Sequence, residues 1–176
     1  MSLVKVLRES LVPDLIAHPD AIGLAPPHDR GDMILTVFLY EIKENTEHRV
    51  SDMIDQGGEV RYPPIALDLS YLITAHSSSD AMTRAIDEQR IIGRTMQILH
   101  DHNVLRGEDL TGSLAGSGES FRITKTEVPL DTAANLFPDK HYRLSLGYSI
   151  GPVYLDSTRT RPVSRVRERQ VHVKRK

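Results

Sequence analysis

Residues 112–120, GSLAGSGES, are the first place to look for chemistry, because glycines beside serines build both phosphate loops and nucleophile turns. A phosphate loop closes on Gly-Lys-Ser/Thr, whose lysine meets the phosphates and whose hydroxyl holds the metal. This run has no lysine. A nucleophile elbow places glycine two positions before its serine. Thr111 stands there for Ser113 and Ala115 for Ser117. The run therefore reads as a flexible, solvated loop. His100-Asp101-His102 offers two imidazoles, but residues two apart on a helix point in different directions and could share an ion only where the helix ends. Histidines at a helix C-terminus complement its dipole, which is the reading adopted. The same surface reading covers His28 beside Asp29, and His18, His48, His76 and His141.

The carboxylate pairs Glu41/Glu44 and Asp87/Glu88 would need a pocket that shifts a pKa before either could serve as a general acid, and they read as solvated faces. The chain has no cysteine, which excludes disulfide and thiolate chemistry. No catalytic residue, cofactor-binding residue or metal ligand is assigned, and a non-enzymatic protein without a cofactor is expected.

Charge is the strongest compositional signal. After Asp156 stand Arg159, Arg161, Arg165, Arg167, Arg169, Lys174, Arg175 and Lys176 against one acid, Glu168. The preceding residues are acidic, so the -2 net charge of the 176-residue chain conceals a polarised molecule. These eight cations are the candidate partner-binding residues. Val163, Val166, Val171 and Val173 lie among them, which suits an arm that adds a strand to a neighbour's sheet; the equal alternative is a disordered, solubilising terminus. Nucleic acid is the disfavoured partner, because the arm has no interleaved aromatics and the body would repel phosphate.

The elements that must position these residues follow from periodicity. Residues 3–17 place Leu3, Val4, Leu7, Leu11, Leu15 and Ile16 at helical spacing, with Ser2 as a cap and Pro13 dividing or kinking the helix. Residues 20–32 read as a loop. Residues 33–43 are apolar on both faces, as a central strand is. Residues 44–61 are polar around Gly57-Gly58, either an extended pair projecting from the domain or a mobile loop. Residues 65–75 alternate as a second strand. A helix follows to about residue 102, with Met82, Ala85, Ile86, Ile92, Met96 and Leu99 as its core stripe, and with Ala85 and Gly93 allowing close approach to a sheet. Residues 121–128 and 142–156 are the third and fourth strands, the latter facing Tyr142, Leu144, Leu146, Tyr148 and Ile150 one way and interrupted at Gly151-Pro152. One helical turn is expected over 131–137. The fold class is α+β, an antiparallel or mixed sheet of about four strands with two main helices on one face. Two parts are expected: residues 1–156 as the domain and 157–176 as the basic arm.

The order of four motifs then becomes diagnostic: ILTVFLYEIKEN, PPIALDLSYLITA, EQRIIGRTMQILHDHNVL and YRLSLGYSIGPVYLD. Over residues 3–156 the chain resembles the tail-terminator (cap) proteins of phage-tail-like extracellular contractile injection systems of the antifeeding-prophage type. It departs from them around residues 131–142, where Leu136-Phe137-Pro138 stands without a tryptophan. The resemblance implies a tail-terminator-like fold, a homo-oligomeric ring (a hexamer) with inner-tube and sheath proteins as partners, and no catalysis. It implies a structural cap that ends the tube and sheath away from the baseplate. The alternative is a non-enzymatic binding module using the arm on nucleic acid or an acidic protein. No apolar run approaches the ~20 residues of a membrane span. The expected location is the cytoplasm during assembly and the injection particle thereafter.

Overall fold

The computed structural model describes residues 1–137 and 143–162. Tyr142, His141 and residues 163–176, with the expectations stated for them, lie outside these ranges.

α1 (Ser2–Leu11) buries Leu3, Val4, Val6, Leu7 and Leu11. Pro13 ends this helix rather than kinking it: Val12, the residue before it, is extended at φ -102 and ψ 137. Ile16 reaches the core all the same, because its N–H turns back to the Leu11 carbonyl. Ser2 is no cap. It sits inside the helix, and its Oγ accepts a hydrogen bond from the Thr111 N–H at 3.1 Å.

The main sheet has six strands rather than four, in the order β1-β2-β5-β8-β7-β6. These are β1 (Ile22–Leu24), β2 (Leu35–Glu44), β5 (Ile65–Ala75), β6 (Val104–Arg106), β7 (Ser120–Thr126) and β8 (Ser145–Leu155). The two unforeseen strands, β1 and β6, have three residues each, too few to show a period. β1 runs parallel to β2 and every other pair is antiparallel, so the sheet is mixed. β3 (Ile54–Asp55), β4 (Glu59–Arg61) and β9 (Thr160–Pro162) make a second, small sheet in the order β3-β4-β9. Residues 44–61 thus carry an extended pair, the first of the two expected alternatives.

α2 (Ala81–Asp101) starts at Asp80, whose Oδ1 accepts the Met82 and Thr83 N–H groups at 3.0 Å each. Those backbone bonds to Thr83 and Met82 hold the Asp80 carboxyl below its ordinary 3.8. A lowered folded-state pKa gives stability that is full above 3.8 and is lost as pH falls through the folded value. Asp80→Ala should therefore lower the melting midpoint at neutral pH, and the gap from wild type should close in acid. Melting curves at both pH values check this.

The helix turns a different face inward from the one expected. Ile91, Ile92, Thr95, Ile98 and Leu99 are buried, whereas Ala85 is exposed and Met82, Ile86 and Met96 are 88%, 52% and 38% exposed. Only Ile92 and Leu99 of the expected stripe face the core. Gly93 is exposed with open space where a Cβ would stand, so it serves no close approach to the sheet. The helix carries apolar residues on two sides, and periodicity alone could not say which side meets the sheet.

One continuous core joins α1 and the second half of α2 to the same sheet face, through Val37, Tyr71, Ile73, Phe121, Ile123, Leu146, Tyr148 and Ile150. Leu144, expected on this face, is exposed ahead of β8. On the opposite face α3 (Leu130–Leu136) brings Ala133 to a cavity of about 310 Å³ that Leu72 and Gly147 also line. Where β8 faces β5, the pairing shifts between Leu67 and Leu69, so Gly151-Pro152 stands opposite Asp68 as a bulge. A Cβ on Gly151 would lie 2.0 Å from Asp68 Oδ1, so the carboxylate already fills that space.

Candidate functional site

The residues with chemical potential are dispersed. Residues 112–120 lie in the segment between β6 and β7. That segment is built of two 3-10 turns, Gly107–Asp109 and Gly112–Leu114, with Leu110 buried and Leu114 packed against the core. Residues 107–111 wedge beside α1, held by Thr111 on Ser2 and by Lys5 Nζ on the Glu108 carbonyl, whereas residues 112–120 are exposed except at Leu114 and Glu119, as the solvated loop expected. His100, Asp101 and His102 close α2. Among the described residues no three His, Asp or Glu side chains gather around a common point.

His76 is a correction to the surface reading. It is fully buried, with Nε2 3.0 Å from Thr36 Oγ1. Thr36 and Thr74 are buried beside it, and Thr74 Oγ1 lies 2.8 Å from Ser145 Oγ. This polar seam ties β2, β5 and β8 together, as buried hydroxyls do when they have partners. Nothing in its local pattern separated His76 from a surface histidine.

Asp87 and Glu88 are likewise more than solvated faces. Asp87 Oδ2 accepts from the Ser77 and Ser79 hydroxyls, and Glu88 Oε1 accepts from the Ser77 N–H and from Arg143. The seryl hydroxyls are donors to a carboxylate here, and the neighbouring imidazole faces Thr36. Tyr71 and Tyr148 pair across β5 and β8, and burial raises both phenols above 10.0.

The molecule offers surfaces instead. β2 is covered on its outer side only over Leu35–Val37, where β1 pairs with it; beyond that its edge is bare among the described residues. At the lower end of β5 and β8, Ile65 pairs with Leu155, and these residues and Ile42 are 49%, 58% and 59% exposed. Apolar strand ends next to unpaired backbone are what interfaces between chains are made from. Of the eight candidate arm cations, two are described. Arg159 lies over the Tyr62 ring at 4.2 Å, and Arg161 lies in β9 opposite Val60 of β4. Arg61 of β4 pairs with Asp156 at 3.0 Å. Arg165, Arg167, Arg169, Lys174, Arg175 and Lys176 lie outside the described residues.

A mixed six-stranded sheet with its two main helices on one face and α3 on the other makes an α+β building block. Comparison with family models gives its place: the model described as the Pvc16 N-terminal domain matches residues 1–169, and the chain belongs to this family. Two solved structures share the fold. The sheath/tube terminator of an extracellular contractile injection system, PVC, in its extended state is 20% identical with a TM-score of 0.58. The anti-feeding prophage cap, a tube-terminating cap, is 19% identical with a TM-score of 0.60. Each match covers 98% of this chain but 63% and 59% of the respective partner, so the chain spans about three-fifths of their length. No curated protein matches it. No helix among the described residues is long and apolar enough to cross a membrane.

Proposed function

We propose that this chain is the structural subunit of a ring that caps the inner tube and sheath of a contractile injection system, at the end distal to the baseplate. The observation that carries the reading is the fold itself. From end to end the chain superposes on chains described as a sheath/tube terminator and as a tube-terminating cap. A terminator must match a growing lattice on one side and offer no matching edge on the other. The bare outer edge of β2 and the apolar ends of β5 and β8 suit the matching side. The ring is a homo-oligomer, a hexamer if it follows the symmetry of the tube it closes, with the tube and sheath proteins as its other contacts. Residues 1–156 form the ring, and the basic arm from 157 onward reaches the sheath. The chain assembles in the cytoplasm and then travels with the particle.

Removing the gene from a producing strain tests this. Particles should lose their uniform length or shed their sheaths. Restoring the chain without residues 163–176 should recover tube length but not sheath retention. Unchanged particle length without the chain contradicts the cap, and unchanged sheath retention contradicts the role given to the arm.

A further inference from the structure

A groove of about 810 Å³ opens between the second half of α2 and β7. Met96, Ile123 and Tyr148 contribute apolar surface, and Arg94, Arg122 and Lys125 bring three cations. Asp101 is the one carboxylate among the lining residues. None of the three cations has a carboxylate within ion-pair distance among the described residues. Beside the groove β7 also has an unused edge. β6 pairs only with Ser120–Arg122, so residues 124–126 have no strand on their outer side among the described residues.

The same chain carries a complementary object. Residues 44–61, which include the β3–β4 hairpin, hold Glu44, Glu47, Asp52, Asp55 and Glu59 against Arg49 and Arg61, and Arg61 is paired with Asp156. Met53 and Ile54 are 37% and 40% exposed on it. β3 is the outer strand of its small sheet, so its edge is open too. The hairpin grows from the ends of β2 and β5, whereas the groove lies beside β7, across β8 in the sheet order.

We infer that the acidic β3–β4 hairpin of one copy docks into the α2–β7 groove of the next copy. Met53 and Ile54 cover the apolar floor, the carboxylates face Arg94, Arg122 and Lys125, and the β3 edge lies along residues 124–126 of β7. Opposite charge fixes the register, and two open strand edges supply backbone hydrogen bonds. Donor and acceptor are different patches of one chain, so the contact is head-to-tail, the kind that closes into a ring when the rotation per step divides a full turn. The inference rests on the ring proposed above and specifies its subunit contact.

The absence of native cysteine makes disulfide trapping a clean test. Ile54→Cys and Thr124→Cys are both exposed positions, and the two single variants are mixed under mild oxidation. A mixed dimer should form in preference to either homodimer. Arg122→Glu with Lys125→Glu in the Thr124→Cys chain should cut its yield roughly tenfold or more. The chain carrying both cysteines should give a ladder of species. A mixed dimer no more abundant than that of Ile54→Cys with an exposed control, Asp14→Cys, overturns the inference, as does a yield indifferent to charge reversal. Lysine-reactive cross-linking of the unaltered chain separates the two levels. If it traps a closed oligomer while the engineered pair does not link, the hairpin contact is wrong and the ring stands; if neither yields an oligomer, both fall.

Discussion

Ile92→Asp should remove most or all of the stability of the fold. Ile92 is 4% exposed, on the side of α2 that faces the sheet core. The exchange forfeits roughly 2–3 kcal/mol of apolar burial. It also places a carboxylate where it has no counter-ion, a cost of several kcal/mol more unless the group takes up a proton. Domains of this size keep about 5–15 kcal/mol in total, so the two losses together consume most of it. The informative companion is Ile86→Asp, six residues earlier on the same helix but 52% exposed. It should change stability by no more than about 0.5 kcal/mol. Urea titrations of the pair check the assignment of the buried side. A larger loss for Ile86→Asp than for Ile92→Asp would mean that the sheet meets the other side of α2.

Gly147→Ala is the second large effect, and it acts through space rather than polarity. Gly147 of β8 pairs with Thr126 of β7. A Cβ there would stand 2.6 Å from Val128 Cγ2 and 2.8 Å from the Thr126 carbonyl oxygen. The valine can turn away, but the carbonyl belongs to a strand held in register, so the two strands must part. Overpacking of this kind costs about 1–3 kcal/mol, or a fall of roughly 3–10 °C in Tm for a chain of this length. Val128→Ala in the same background should return part of the loss, because it removes the nearer clash and leaves the carbonyl. A Tm within a degree of wild type for the single variant contradicts the tight β7–β8 approach.

Long, strongly patterned segments are legible in the sequence. Residues 65–75 form the strand their alternation predicts. The resemblance carried by four motifs leads to the family that the comparison shows. What escaped has physical reasons. β1 and β6 are too short to show a period, and their existence depends on longer neighbours. α2 carries two apolar stripes, so the choice between Met82-Ile86 and Ile91-Ile92 depended on where the sheet lies. His76 is buried by contacts with Thr36, forty residues earlier in the chain. The groove beside β7 draws on residues from 94 to 148, brought together only by folding. Interfaces of this type have no compact signature, because each side contributes scattered residues that acquire meaning as a surface.

The most direct measurement is to locate the chain on assembled particles. Gold-labelled antibody against it, viewed by electron microscopy on purified intact particles, should mark one end only, opposite the baseplate. Label along the shaft, at the baseplate, or absent from particles altogether would contradict a terminating cap.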